Sequence, residues 1–168
     1  MEKGMKIQGV QQVGIVVKDV EKTAEAYWQQ FGIGPWQILT FGPGIKKRTY
    51  HGEECAFSLR IAMAQVGPLI IELLQPLEGP SPHADFLAQH GEGVQHLGIF
   101  VESLAQATEQ MQGLGYRDVT SAFGIGADGS GGATYFDTDR TIGTLLEIIE
   151  MPKELSSPIE KVIPNPGS

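Results

Sequence analysis

The sequence predicts an α+β fold: two paired β-α-β-β-β modules that form one curved mixed β-sheet around a cleft, with helices outside. Two observations carry this prediction. VQQVGIVVKDVEKTAEAY at residues 10–27 returns as VQHLGIFVESLAQATEQM at residues 94–111, an offset of 84 residues. Val10, Gln11, Gly14, Ile15, Val17 and Glu25 recur as Val94, Gln95, Gly98, Ile99, Val101 and Glu109, and an ordered series at one offset is a repeat signal. Downstream, PLIIELLQP at 68–76 resembles TLLEIIEMP at 144–152, with Glu72 matching Glu147. Patterning alone does not choose between one shared sheet and two independent α+β units.

Each copy opens with a mainly apolar strand. Gln11, Val13, Ile15 and Val17 share one face of it, and Gln12, Gly14 and Val16 the other. Asp19 and Ser103 stand at helix-cap positions, because a short oxygen-bearing side chain satisfies the free N–H groups of a first turn. The helices run to about Gln30 and Gln112, and the pairs Phe31-Gly32 and Leu114-Gly115 close them. The segments from Tyr50 to Met63 and from Arg117 to Phe136 supply two further strands each, before the two Glu-centred runs. Pro82 to His90 form a short linker helix that Gly91 and Gly93 end. The chain divides into a first module at 1–80, the linker at 81–93, a second module at 94–152 and a Pro-rich tail at 153–168, within one compact domain. FGIGADGSGG at 123–132 reads as a mobile flap or as a long hairpin connection.

Composition narrows the function classes. Twelve Lys and Arg stand against 20 Asp and Glu, a formal charge of -8, which disfavours nucleic acid as a partner. Lys46, Lys47 and Arg48 form the one adjacent basic triplet and read as a solvated loop. Cys55 is the single cysteine, so no intrachain disulfide forms, in keeping with a reducing compartment. No apolar run reaches the length of a membrane span, and MEKGMKIQGV lacks a secretory apolar stretch. The expectation is a soluble cytoplasmic protein.

The polar exceptions inside the strands are the functional signal. Gln12 and His96 hold equivalent places in the two opening strands, and Glu72 and Glu147 in the two closing ones. Taken singly, each reads as a core or sheet-edge residue. Buried carboxylates are costly unless paired, protonated or bound to metal, so two at matched repeat positions favour a shared cleft. Together the four offer an imidazole nitrogen, two carboxylates and an amide oxygen. That set suits Mn²⁺, Co²⁺, Ni²⁺ or Fe²⁺, and admits Zn²⁺.

These stretches, with IIELLQPLEGPSPHADFLAQHGEGVQHLGIFVESL and YFDTDRTIGTLLEIIE, resemble the vicinal oxygen chelate (glyoxalase/bleomycin resistance/dioxygenase) superfamily over residues 7–152. Within it they look most like methylmalonyl-CoA epimerase-like proteins. The resemblance implies a divalent metal held by Gln12, Glu72, His96 and Glu147, with glutamine standing where the family normally has histidine. It implies a metal-dependent epimerase or isomerase that exchanges the α-proton of a small acyl-CoA such as methylmalonyl-CoA. Glu147 would serve as the catalytic acid or base, and Glu53 or Glu54 as the second. It also implies a homodimer. The alternatives are a glyoxalase-like lyase or other enzyme of the superfamily, or a non-catalytic small-molecule-binding member whose metal site Gln12 weakens.

Overall fold

A computed structural model describes residues 5 and 7–165; residues 1–4, 6 and 166–168, the outer ends of the first-module and tail segments, lie outside the described residues. The first half runs β1 (Gln12–Val16), α1 (Val20–Phe31), β2 (Trp36–Phe41), a hairpin of β3 (Lys47–Tyr50) and β4 (Glu53–Glu54), β5 (Ser58–Val66) and β6 (Leu69–Glu78). Helix α2 (Pro82–His90) leads to the second half: β7 (Gly93–Phe100), α3 (Leu104–Gly113), β8 (Asp118–Phe123), β9 (Gly132–Phe136), α4 (Asp139–Ile142) and β10 (Leu145–Glu150). A last strand, β11 (Lys161–Ile163), follows.

Local chemistry accounts for the helix starts. The Asp19 side chain accepts from Lys22 N at 3.0 Å, Ser103 from Gln106 N at 3.3 Å and Ser81 from Ala84 N at 3.1 Å. Each satisfies one orphan donor of a first turn. Pro82, which has no N–H to lose, sits in the first turn of α2.

All the strands form one mixed sheet in the order β11-β2-β5-β6-β1-β7-β10-β9-β8-β3-β4. β1 runs parallel to β6 and antiparallel to β7, and β7 runs parallel to β10. The two halves therefore join through their opening strands. Helices α1 and α3 lie on one face. Val20 and Ala24 of α1 pack on Ile38, Ala62, Ala64 and Leu73, and Leu104, Ala107 and Met111 of α3 on Ile99, Phe136, Leu146 and Ile148. Alternate residues of the same strands, among them Leu39, Ile61 and Leu74, form a second cluster on the opposite face. Both faces thus carry apolar clusters, and each fully buried Leu or Ile contributes roughly 1.5–3 kcal/mol.

Two segments differ from the sequence reading, and a third takes one of the two forms that reading left open. The second strand of the first half is Trp36–Phe41, ahead of the 50–63 segment, and Trp36 is fully buried there. WQILTF is a short apolar run behind a Gly-Pro pair, and six residues carry too little periodicity to mark a strand. Lys47 and Arg48 open β3, which pairs with β8 from the other half. No local pattern reveals a partner that distant. The glycine-rich stretch is a hairpin connection, tied by Gly124 N to Gly131 O and Gly126 N to Ser130 O, and it bridges to the tail through Gly126 and Leu155.

The β3–β4 hairpin also determines the curvature. β2 lies near one end of the sheet and β3 near the other, yet only residues 42–46 connect them. A link that short spans roughly 20 Å at most, so the sheet must curl until its two ends lie close. Phe41 packs against both the Leu39–Leu74 cluster and the Ile45, Ala122 and Ile125 cluster, which closes the seam.

Candidate metal centre

Sheet register brings the four polar residues together. Gly14 lies opposite Glu72 on β6 and His96 on β7. Gly98 lies opposite Gln12 on β1 and Glu147 on β10. Opposed residues share a face, so all four side chains point to the side away from α1 and α3. The glycines are required by space. A Cβ at Gly14 would lie 1.9 Å from His96 Cε1, and one at Gly98 would lie 2.8 Å from Gln12 Cβ.

The four groups are buried, with His96 wholly inaccessible and Gln12, Glu72 and Glu147 only 5–7 % exposed. Gln12 Nε2 donates to Glu72 Oε2 at 2.6 Å and to Glu147 Oε2 at 3.4 Å. His96 Nε2 stands 3.4 Å from Glu72 Oε2 and 3.1 Å from Glu147 Oε2 but makes a hydrogen bond to neither. Its other nitrogen, Nδ1, is 3.2 Å from Gln95 Oε1, and Gln95 Nε2 in turn donates to the Pro82 carbonyl at 2.9 Å. That second bond leaves the Gln95 oxygen as the acceptor, so Nδ1 carries the hydrogen. In the neutral ring Nε2 then carries the lone pair, the tautomer a metal ligand needs.

Two carboxylates beside one lone pair call for a positive charge between them. Burial lowers the His96 pKa, but Glu147 and Glu72 more than offset it and push it up to about 9. Burial, then the charge of Glu147, raises Glu72. A proton on His96 is one answer to this electrostatic demand, and a divalent cation is the other. Ligand atoms of Glu72, His96 and Glu147 all lie within 4.8 Å of one another.

Residues 11–135 match the sequence profile of the Glyoxalase/Bleomycin resistance protein/Dioxygenase superfamily. The chain belongs to this superfamily. No curated protein sequence matches it. Among solved structures it is similar to protein BH1468 of Bacillus halodurans C-125, at 22 % identity over 88 % of this chain and 97 % of that one, with a TM-score of 0.65. It is similar to a Streptomyces coelicolor methylmalonyl-CoA epimerase variant in complex with 2-nitronate-propionyl-CoA (20 % identity, 86 % and 98 % coverage, TM-score 0.62). The Mycobacterium tuberculosis methylmalonyl-CoA epimerase is a further match (22 %, 86 % and 88 %, TM-score 0.58). At these identities the likeness is one of fold.

In this superfamily member the polar cluster forms the floor of an apolar cavity. Leu39, Phe41, Phe57, Leu59, Ile61 and Phe100 are among its walls, and about 140 Å³ is accessible to the centre of a water-sized molecule. Glu53 and Glu54 do not enter it. They sit exposed on the two-residue β4, opposite Tyr50 and Thr49, at the far edge of the sheet. A two-residue edge strand buries neither of its faces, so both carboxylates stay in water.

Two further groups line the cavity. Tyr135 on β9 lies opposite Glu147, and burial followed by the charges of Glu147 and Glu72 holds its hydroxyl well above the ordinary phenol pKa. His83, in the first turn of α2, places Nε2 3.4 Å from the Tyr135 hydroxyl. Burial, then His96, lowers its pKa to about 3, so it is neutral. Strand alternation gives the face of Tyr135, and its place across from Glu147 follows from the pairing of β9 with β10. His83 has none, since it depends on where α2 docks.

Proposed function

We propose that the protein is a metal-dependent epimerase or isomerase that exchanges the α-proton of a small carbonyl substrate, with an acyl-CoA thioester as the expected type. The supporting observation is the buried His96 Nε2, unbonded and facing two buried carboxylates. The donor set fits a divalent ion of the Mn²⁺, Co²⁺, Ni²⁺, Fe²⁺ or Zn²⁺ class, held by Glu72, His96 and Glu147 with Gln12 as a weaker fourth. Such an ion supplies Lewis-acid polarisation of a carbonyl oxygen. Gln12 joins the set when its amide turns over and presents Oε1, because Nε2 now donates to Glu72.

The chain's own groups divide the remaining work. Glu147 takes and returns the α-proton at the cavity floor. Tyr135, kept protonated beside it, holds that carboxylate in place. Glu72 is the other carboxyl group that lines the cavity, while Glu53 and Glu54 stand outside it. The apolar walls exclude water, which strengthens every charge interaction inside.

A second reading is favoured by one observation. The Gln12 amide already bridges both carboxylates, which suits a non-catalytic binding protein. Solvent deuterium entering the α-carbon of an acyl-CoA panel, measured with Mn²⁺ or Co²⁺, separates the two. Exchange that disappears in a folded Glu147→Gln variant supports the enzyme. No exchange by metal-loaded protein across the panel moves the assignment to the binding protein or to a lyase.

A cytoplasmic location and a homodimer complete the proposal. The lone Cys55 supports the first. Among the described residues no helix is long and apolar enough to cross a membrane. The family resemblance supports the dimer, without help from open sheet edges, since the two outermost strands are only two and three residues long. Sedimentation at high protein concentration tests it.

A further inference from the structure

The cavity above the floor has an unusual chemical balance. Among the described residues none that lines it is Lys or Arg, and its carboxylates are Glu72 and Glu147; the Arg48 guanidinium stands against the Phe57 ring, 5.6 Å from its centroid, and donates to the Gly42 carbonyl. Its wall hydroxyls are already used within the protein. Thr120 Oγ1 donates to Thr49 O at 2.6 Å, and Ser121 Oγ lies 3.0 Å from Thr134 Oγ1. His83 Nε2 faces the Tyr135 hydroxyl, and the Gln12 amide faces Glu72. The remaining surface is hydrocarbon, with Phe41, Phe57 and Phe100 among its rings.

Charge balance restricts what can enter. A divalent ion with two carboxylates, a neutral imidazole and a neutral amide sums to zero. A free carboxylate on the substrate would add an unpaired negative charge beside Glu72 and Glu147, inside apolar walls. Such a charge is costly to bury without a cationic partner. The free space suits a ring-sized group. The cavity's 140 Å³ is close to the ~150 Å³ apolar cavity that accepts benzene.

We propose that the group this cavity receives is an uncharged hydrocarbon of about ring size, phenyl or branched alkyl, attached to a neutral carbonyl. A malonyl-type group with its own carboxylate is rejected. The proposal rests on the reading that this cavity is the substrate site, and it narrows the acyl group of any thioester used there to an apolar one.

Titration calorimetry on the full chain tests it with three probes, in the presence and absence of Mn²⁺. Propiophenone is the neutral aryl ketone, phenylmalonate the same ring with two carboxylates, and methylmalonate the dianion without a ring. Propiophenone should bind at least about tenfold more tightly than either dianion in both metal states. Ala133→Phe, which fills the cavity from β9, should weaken propiophenone about tenfold or more at an unchanged unfolding midpoint. Ile61→Trp repeats this from β5 should the first variant unfold. Propiophenone binding without any Mn²⁺ binding supports the apolar site and defeats the metal-dependent reading alone. Tighter binding of either dianion, or α-proton exchange of methylmalonyl-CoA with no propiophenone binding, overturns the apolar site and leaves the metal-dependent reading intact.

Discussion

The two halves of the chain use one plan and furnish it differently. Each presents a glycine opposite two polar side chains: Gly14 opposite Glu72 and His96, Gly98 opposite Glu147 and Gln12. In each case one of the two comes from the other half. The seat at Gly14 must clear an imidazole ring 1.9 Å away at its nearest atom, whereas the seat at Gly98 meets Gln12 Cβ at 2.8 Å and Ile149 Cδ1 at 3.3 Å. The preceding glutamines differ as well. Gln95 Oε1 backs the His96 ring, but its repeat mate Gln11 accepts from Phe100 N at 3.0 Å and does nothing for Gln12. The duplicated scaffold keeps both seats, then, while only the second half keeps a backed, ligand-grade nitrogen.

Breaking the seats gives the largest expected effect. Gly14→Ala places a methyl group inside the His96 ring, so divalent binding should be abolished and stability should fall by about 1–3 kcal/mol through overpacking. Gly98→Ala should cost less on both counts. Mn²⁺ titration and denaturant unfolding measure the pair, and equal losses would remove the asymmetry claimed here.

The backing residues come next. Gln95→Ala frees the His96 ring to rotate and change tautomer, so divalent affinity should drop roughly 10–100-fold. Gln11→Ala should leave that affinity unchanged, as read by the same titration. A loss of similar size in both variants would show that these glutamines act through the strands and not through the ring.

Making the halves alike should strengthen the site. Gln12→His replaces a neutral oxygen donor with a nitrogen that borderline metals prefer, and Mn²⁺ or Co²⁺ affinity should rise about tenfold. Unchanged affinity in calorimetric titration would acquit Gln12 as the weak member.

The smallest expected effect is on stability against pH in chelator-treated protein. The folded pKa of His96, about 9, lies above its ordinary value of 6.5. Its contribution to stability is therefore complete below pH 6.5 and is lost as pH rises through about 9. Urea unfolding between pH 6 and 10 should show this decline, and His96→Gln should flatten it. Saturating Mn²⁺ should remove it too, because the metal takes the proton's place.

How much of this was legible beforehand depends on the kind of information a residue pattern carries. Alternation states which face a side chain takes, so Gln12, Glu72, His96 and Glu147 could be read as a matched set. It does not state which strand lies alongside. Glu53 and Glu54 looked suitable by residue type, yet β4 occupies the sheet's outer edge. His83 has no repeat mate to mark it, and the docking of α2 turns it into the cavity.

By itself, the sequence determined two copies of one folding unit, their helix starts at Asp19 and Ser103, and a polar residue at each matched strand position. Tertiary structure alone decided that β1 pairs with β7, so that the two copies share a sheet and a floor. It also decided that β3 from the first half pairs with β8 of the second, and that β11 pairs with β2. The physical reason is that caps, turns and alternation act over a few residues. Sheet pairing is instead chosen by which surfaces the collapsed chain can bury together, and register follows from that choice.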